Sequence, residues 1–404
     1  MGNRRISFLI FILMAVATTV KGQPHHNFTM CFTVMNTFMR HILTQYICVI
    51  CSTVLLVNCS EKENSSIVYN SPSLYFQNAI KLEGEPLPTQ YIAENQFVCY
   101  YSEYGFLGNM SLENKKQIHL ADLKTGEIKT STCLFGRGPG EILIKSPEMS
   151  LYKNSLFLLD QRTDRVKKVE IAQDSLKVEE LFKLESDTPS AFLELETVSD
   201  SLFAILSYSF NNENNLILVD NHNNIFDSEA YRLLDNKKID YSRFRYNVDI
   251  KISPCRKYLF VRGDYNSISK YTIENNNLTL QKHIFLVEPL YEIKNKLPIK
   301  KGNYMELNPN IFIGNEYIYI VANPESRQDF KDRAKKSISE GIRPNAIPEN
   351  DSYILVLDYD FNFVKSYQCD CNTLFLALSP TPSTVYATDM INNRLIKYTL
   401  NGLN

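Results

Sequence analysis

Few residues in this chain stand at spacings that do chemistry. Three glycines fall within five residues in Gly136-Arg137-Gly138-Pro139-Gly140-Glu141, a run whose backbone can turn sharply. It lacks the Lys-Ser/Thr of a phosphate loop and opens no helix, so it reads as a turn between two strands. Arg137 and Glu141 are its polar side chains, and they are the candidate ligand contacts if the turn lies at the mouth of a central channel. Beyond residue 59 the only histidines are His119, His222 and His283, in dissimilar contexts and without H-E-x-x-H or a nucleophile elbow. No catalytic residue is assigned. Glu194 and Glu196 share one strand face, an acid–base arrangement that solvent exposure explains more often. Calcium can be held by Glu, Asn and Asp from separate repeats without leaving a local motif. No metal ligand is therefore named and no cofactor is expected, with calcium the one that stays open.

The nine cysteines add little. Cys31, Cys48, Cys51 and Cys59 precede residue 60. Cys99, Cys133, Cys255, Cys369 and Cys371 are odd in number and too scattered for a disulfide framework. The lone Cys369-x-Cys371 has no second pair and no nearby histidine, which argues against zinc and for two small core hydrophobes.

A second candidate is the segment 324–350. Ser326 with Asp329 forms a capping pair and Gly341 can stop a helix. Phe330, Ala334, Ile338 and Ile342 recur every four residues, an apolar stripe that must rest on something. Lys331, Arg333, Lys335, Lys336 and Arg343 face elsewhere. The expected element is a short helical lid, in which Phe330, Lys331, Lys335 and Ile338 are the candidate gate or partner contacts.

These groups must be positioned by strands. The 404 residues are 44% hydrophobic and 22% charged with no tryptophan, which excludes disorder, collagen and coiled coil. From residue 74 onward, short runs of Tyr, Phe, Ile, Leu and Val alternate with Asn, Asp and Ser, the strand-and-turn pattern. The chain also repeats. Leu156-Phe157-Leu158-Leu159-Asp160 is followed by Arg165, Lys168 and Ile171, and Val385-Tyr386-Ala387-Thr388-Asp389 by Arg394, Lys397 and Leu400 at identical spacing. Six such cycles can be traced, beginning with the strands Phe97–Tyr101, Leu156–Asp160, Leu202–Leu206, Leu259–Arg262, Tyr317–Val321 and Phe375–Ser379. Residues 74–82 are left at the front to supply a closing strand. The expected fold class is all-β: a six-bladed β-propeller of four-stranded antiparallel blades over 74–404, with one short helical insertion in the fifth blade. With only 14 glycines, the tight turns fall to asparagine, as in Asn221-His222-Asn223-Asn224 and Asn275-Asn276-Asn277.

The amino terminus reads as an address. Ile6–Val20 behind Arg4 and Arg5, and Ile42–Val57 behind Arg40 and His41, are 15 and 16 residues long. A spanning helix needs about 20, so both have the form of a secretory signal. Leu56-Val57-Asn58-Cys59 resembles a bacterial lipobox, with Asn58 where Gly, Ala or Ser is usual. That resemblance implies cleavage before Cys59, lipidation of its thiol, and a polar tether over 60–73. On this reading residues 1–59 are an export segment, translation starts at Met35 or Met39, and residues 1–38 are an artefact of the assigned start. Residues 1–59 hold four cations and no anion, so the body keeps 39 Lys+Arg against 45 Asp+Glu. That balance is a poor one for nucleic acid.

The run Phe135-Gly136-Arg137-Gly138-Pro139-Gly140-Glu141, with Tyr353–Asp360 and Val385–Asp389, resembles the TolB-like six-bladed β-propeller lipoproteins of gut-anaerobe type. The resemblance implies a propeller on an exported, outer-membrane lipoprotein, with its periplasmic or surface face unspecified, and no agreed reaction. The expected role is a binding module for a protein or glycan-derived partner, joined to the membrane through its lipid. The alternatives are a calcium-dependent lactonase- or lyase-like hydrolase in the channel, and a structural subunit of an envelope complex.

Overall fold

The repeated Asp-led motif is a structural repeat. In a computed structural model of the chain, Arg165 pairs with Asp160 across the second and third strands of one blade. Arg394 pairs with Asp389 in the same way four blades later. The structure describes residues 72–87, 95–101, 104–109, 116–138, 140–143, 148–172, 175–185, 190–209, 214–231, 238–240, 247–302, 305–307, 309–339, 351–373, 376–379, 381–389, 392 and 394–403. All of them belong to one unit, Ile67–Asn404. Cys59, the two apolar stretches before it and Gly341 lie outside the described residues. No described helix is long and apolar enough to cross a membrane.

Six antiparallel blades form a ring. Their channel-lining strands are, in chain order, Asn95–Tyr101, Glu148–Tyr152, Ser190–Thr197, Asp249–Ile252, Asn310–Ile313 and Leu376–Leu378. Each touches the next, and the last touches the first. Outward from these run the remaining strands of each blade, for example Ser155–Asp160, Arg165–Ala172 and Ser175–Lys183 in the second. The apolar runs form strands because both faces of each blade are covered by neighbouring blades. Between the second and third blades, Phe157, Phe182 and Phe203 stack with ring centroids 5.3 and 5.6 Å apart. Clusters of buried apolar side chains fill the other five gaps, the one between the sixth and first blades being the smallest among the described residues.

Two details differ from expectation. In the second to fifth blades the strands read from the sequence are the outer three, and the channel-lining one escaped. Two of these inner strands, Asp249–Ile252 and Asn310–Ile313, have only four residues, and Ser190–Thr197 breaks its apolar residues with Glu194 and Glu196, so none shows the long apolar run that marks a strand. In the first blade it was Tyr104–Asn109 that escaped. The closing strand is also not within 74–82. Tyr75, fully buried in a helix spanning Pro72–Phe76, meets Phe363 at 5.4 Å, and Ile80–Lys81 lies parallel to Phe363–Gln368 of the fifth blade. Glu85–Pro86 then pairs antiparallel with Arg394–Thr399 and supplies the outermost strand of the sixth blade. Between them Gly84 donates its N–H to Asp370 at 3.0 Å, and a Cβ there would fall 2.1 Å from Ile396 Cγ2. Only glycine lets the chain pass so close.

Asparagine does take over the tight turns. Asn223, Asn275 and Asn276 all have positive φ, and the Asn275-Asn276 pair makes a two-residue hairpin turn of the type that suits strand twist. The Asp-led turns are stapled by their carboxylates. Asp220 accepts N–H bonds from His222 and Asn224, and Asp358 accepts them from Asp360 and Asn362, all at 2.8–2.9 Å.

Candidate functional site

Antiparallel order sorts the loops. Crossings between blades and loops between second and third strands open on one face of the ring, and the remaining hairpins on the other. The Gly136–Glu141 turn and the inserted helix therefore share the crossing face.

The turn is held by its own glutamate. Glu141 accepts the Gly138 N–H at 2.6 Å, and its carboxylate occupies the place a Cβ on Gly136 would need, 2.1 Å away. Gly136 N–H also reaches Ile142 C=O at 3.0 Å, and Lys167 Nζ donates to the Glu141 carbonyl. Glu141 is thus turned inward as a staple. Arg137 is left exposed. The loop is tied to the second blade by Asp160, a buried carboxylate that accepts Leu143 N–H at 3.2 Å and Arg162 N–H at 3.3 Å.

Between loop and blade lies a cavity of about 430 Å³ lined by Arg137, Leu143, Arg162, Thr163, Arg165 and Glu180. Arg165 bonds Glu180; that hydrogen bond raises the guanidinium pKa and lowers the carboxyl's. Among the described residues, Arg137 and Arg162 have no carboxylate partner, and the buried Thr163 hydroxyl has no hydrogen-bond partner. No lining residue belongs to a channel-lining strand. The loop expected at the channel mouth brings Arg137 to the outer strands of the second blade instead.

The channel side holds a second group of charges that sequence reading missed, except for Glu194 and Glu196. Ser150, Glu196 and Lys251, from the inner strands of three successive blades, meet there: Ser150 Oγ donates to Glu196 at 2.8 Å, and Lys251 Nζ lies 3.9 Å from its other oxygen. Glu196 is buried, and burial raises its pKa. Asp249 is also buried deeply enough to be pushed up, yet Lys251 at 2.9 Å, a hydrogen bond with the Glu194 carboxyl and Arg262 at 3.8 Å outweigh burial and hold it at about 2. Glu194 also accepts Ile250 N–H at 2.6 Å. From the opposite face of the ring, Arg256 donates to the carbonyls of Thr197 and Leu151, spanning three blades. No sequence signal could have assembled this set, because Ser150, the Glu194–Glu196 pair and the Asp249–Lys251–Arg262 group come from three different blades.

A resident calcium does not suit these residues. Their carboxylates are balanced by Lys251 and Arg262, and among the described residues no three His, Cys, Asp or Glu side chains converge as metal ligands. Cations already occupy the positions that a metal would neutralise.

The insertion forms a helix over Arg327–Ser339. Its start is the expected cap: Ser326 Oγ donates to Asp329 at 2.6 Å and accepts the Asp329 N–H at 3.1 Å. Arg333 clamps the buried Glu325 through two bonds of 2.8 and 2.9 Å. Glu325–Ser326 in turn pairs with Met305–Glu306 of the preceding crossing. Lys331, Lys335 and Lys336 are exposed. Phe330 and Ile338 lie on this helix, with side chains outside the described set.

The remaining candidates are structural. His119 and His283 are bonded to Ser131 and Ser269 at 2.7 Å, and burial lowers both pKa values, His283 to about 4. Cys133 and Cys371 have thiols pushed up to about 12 by burial, too high for a nucleophile at neutral pH. Cys369 packs in the core between the fifth and sixth blades.

No protein-family model matches the chain, and no curated protein matches its sequence. Among solved structures it is similar to a Bacteroides fragilis protein described as exported, at 11% identity and TM-score 0.48, over 82% of this chain and 98% of that one. It is also similar to the β-propeller domain of Cps50 from Myceliophteria thermophila, at 10% identity and TM-score 0.42, over 78% and 99%. A third likeness is AztD from Citrobacter koseri, at 11% identity and TM-score 0.34, over 70% and 62%. None reaches a TM-score of 0.5, and none bears on what this chain does.

Proposed function

We propose that this chain is a TolB-like propeller lipoprotein, exported through residues 1–59, anchored at Cys59 in the outer membrane, and serving as a binding module. Its recognition surface is the crossing face, where it takes a protein or glycan-derived partner. The observation that carries this reading is the distribution of unneutralised charge. Arg137, Arg162, Lys331 and Lys335 stand on the crossing face without carboxylate partners among the described residues, whereas the channel-side carboxylates are consumed by neighbouring cations and backbone donors. Groups already satisfied within the fold have little left for a ligand.

One observation favours the hydrolytic alternative: Glu194 and Asp249 are interacting carboxyl groups from neighbouring blades, the arrangement an acid–base couple needs. Two variants separate the readings. In Lys331→Glu/Lys335→Glu a binding module loses a partner that the wild-type protein retains, with its fold intact by circular dichroism. Turnover of lactone or ester substrates that vanishes in Glu194→Gln, with partner retention unaffected by the lysine reversal, would overturn the binding reading. Mass spectrometry of lipid-modified peptides beginning at Cys59 tests the anchor separately.

A further inference from the structure

The cavity over the second blade has properties the fold does not require. The loop between second and third strands recurs in the sixth blade behind Asp389, which pairs with Arg394 as Asp160 pairs with Arg165. Two residues after that aspartate stands Ile391, where the second blade has Arg162. In the sixth blade the arginine five residues on, Arg394, is neutralised by the turn aspartate at 2.9 Å. In the second, Asp160 spends its carboxylate on two backbone N–H groups, one of them in the Arg137 loop. Its equivalent arginine, Arg165, turns instead to Glu180. The Gly136–Glu141 loop then adds Arg137, placed by a glutamate staple. Three guanidiniums thus line one cavity with a single lining carboxylate, Glu180, while Asp160 acts on Arg165 from behind the wall, on a body whose net charge is negative. Like charges held together cost free energy unless an anion joins them.

The composition of the walls narrows the ligand. Arginine offers a planar fork that grips carboxylate, sulfate or phosphate oxygens in pairs, which lysine does not. A volume of about 430 Å³ falls in the ~300–1,000 Å³ range of small-molecule sites, with room for more than a bare ion. Leu143 is the only apolar lining residue and no aromatic ring lines the cavity, so an acyl chain or a nucleobase would find no surface to cover it. A polar-bodied molecule with an oxyanion remains. We infer that this cavity binds the oxyanion group of an acidic sugar, with Arg137 and Arg162 as the gripping residues and Arg165 fixed behind them by Glu180. The assignment rests on the binding-module reading and names the chemistry of one site on its recognition face.

Calorimetric titration of the purified protein with glucuronate, glucose 6-sulfate, glucose 6-phosphate and glucose tests it. At least one of the three anions is expected to bind, neutral glucose is not, and the strongest binder identifies the group. Arg137→Gln/Arg162→Gln, at two exposed positions, is expected to weaken that binding about tenfold or more with an unchanged thermal midpoint. Added salt is expected to weaken it in the wild-type protein. Binding unaffected by the double variant would overturn this site while leaving the binding module standing. So would failure of all three anions to bind, provided the partner retained through Lys331 and Lys335 is still captured. Failure of that capture as well would remove both readings.

Discussion

On the channel side of the third and fourth blades, Asp249, Glu194 and Glu196 are met by Lys251, Arg262 and backbone donors. Over the outer half of the second blade, Arg137 and Arg162 meet no carboxylate among the described residues. Both regions bring ionisable side chains from distant parts of the chain together on one propeller. They differ in what burial demands. Charges taken out of water must be paired within the fold, so the channel-side group is committed to holding blades together. The cavity arginines keep their hydration and need no partner for the chain to fold. Local charge density alone is therefore a poor guide to a binding site. The surplus left after internal pairing is the better one.

The contrast is most severely strained by Asp249→Asn. It leaves Lys251 and Arg262, both partly buried, with less to neutralise them, and it should cost about 1–2 kcal/mol in urea unfolding. Any folded fraction should still bind at the cavity. A cost below about 0.5 kcal/mol would mean the group is not structural. The pH dependence has a defined sign. The folded pKa of about 2 lies below the ordinary value of 3.8, so the contribution of Asp249 is complete above that value and disappears as pH falls through about 2. The wild-type protein should lose stability across that window, and the variant should not show that component.

Gly136→Ala probes the other region. The new Cβ displaces the Glu141 carboxylate and breaks its bond to Gly138, at an expected cost of about 1–2 kcal/mol. Because the same loop carries Arg137, ligand affinity should fall together with the thermal midpoint. A midpoint shift with affinity intact would separate loop from cavity.

Histidine sharpens the comparison, since neither region contains one. His283 is lowered to about 4 from 6.5 by burial, so the stability linked to it is complete above 6.5 and is lost as pH falls toward 4. Stability should drop over that range, by on the order of 1 kcal/mol once relaxation is allowed, and less in His283→Asn. Binding of a carboxylate or sulfate at the cavity should stay level from about pH 5 to 8, because neither it nor the guanidiniums titrate there, whereas a phosphate ligand adds only its own ionisation near pH 6. A binding curve that follows Glu or His titration would move the site to the channel side.

The smallest effect is expected at Ser326→Ala. Loss of the cap should cost about 1 kcal/mol, felt as faster amide exchange in the helix Arg327–Ser339 and not as global unfolding. Cavity binding should not change.

Much of the architecture was legible because it is local. The strand, aspartate turn and second strand around Asp160 and Asp389 repeat at fixed spacing, and turn chemistry acts over a few residues. The asparagine turns and the Ser326–Asp329 cap were readable for the same reason. The inner strands of the second to fifth blades were missed because one edge faces a channel and their residues are mixed. The closing strand was misplaced because a two-residue edge strand, Glu85–Pro86, carries no periodicity at all. At the site, Arg137 and Glu141 were singled out together, yet they do opposite jobs. Which of them turns inward depends on the 2.6 Å bond to Gly138, and composition says nothing about that.

The sequence by itself determined the repeat, its period, the residues that turn the chain and the helix in the fifth blade. Each depends on φ preferences, hydrogen bonds or burial patterns spanning a few neighbours. Tertiary structure alone decided which charges survive unpaired. Ser150 and Glu196 are 46 residues apart, and Arg137 shares its cavity with Glu180 only because successive blades stack side by side. Neutralisation acts through space over a few ångströms, and in a ring of blades those ångströms join residues that the chain keeps far apart.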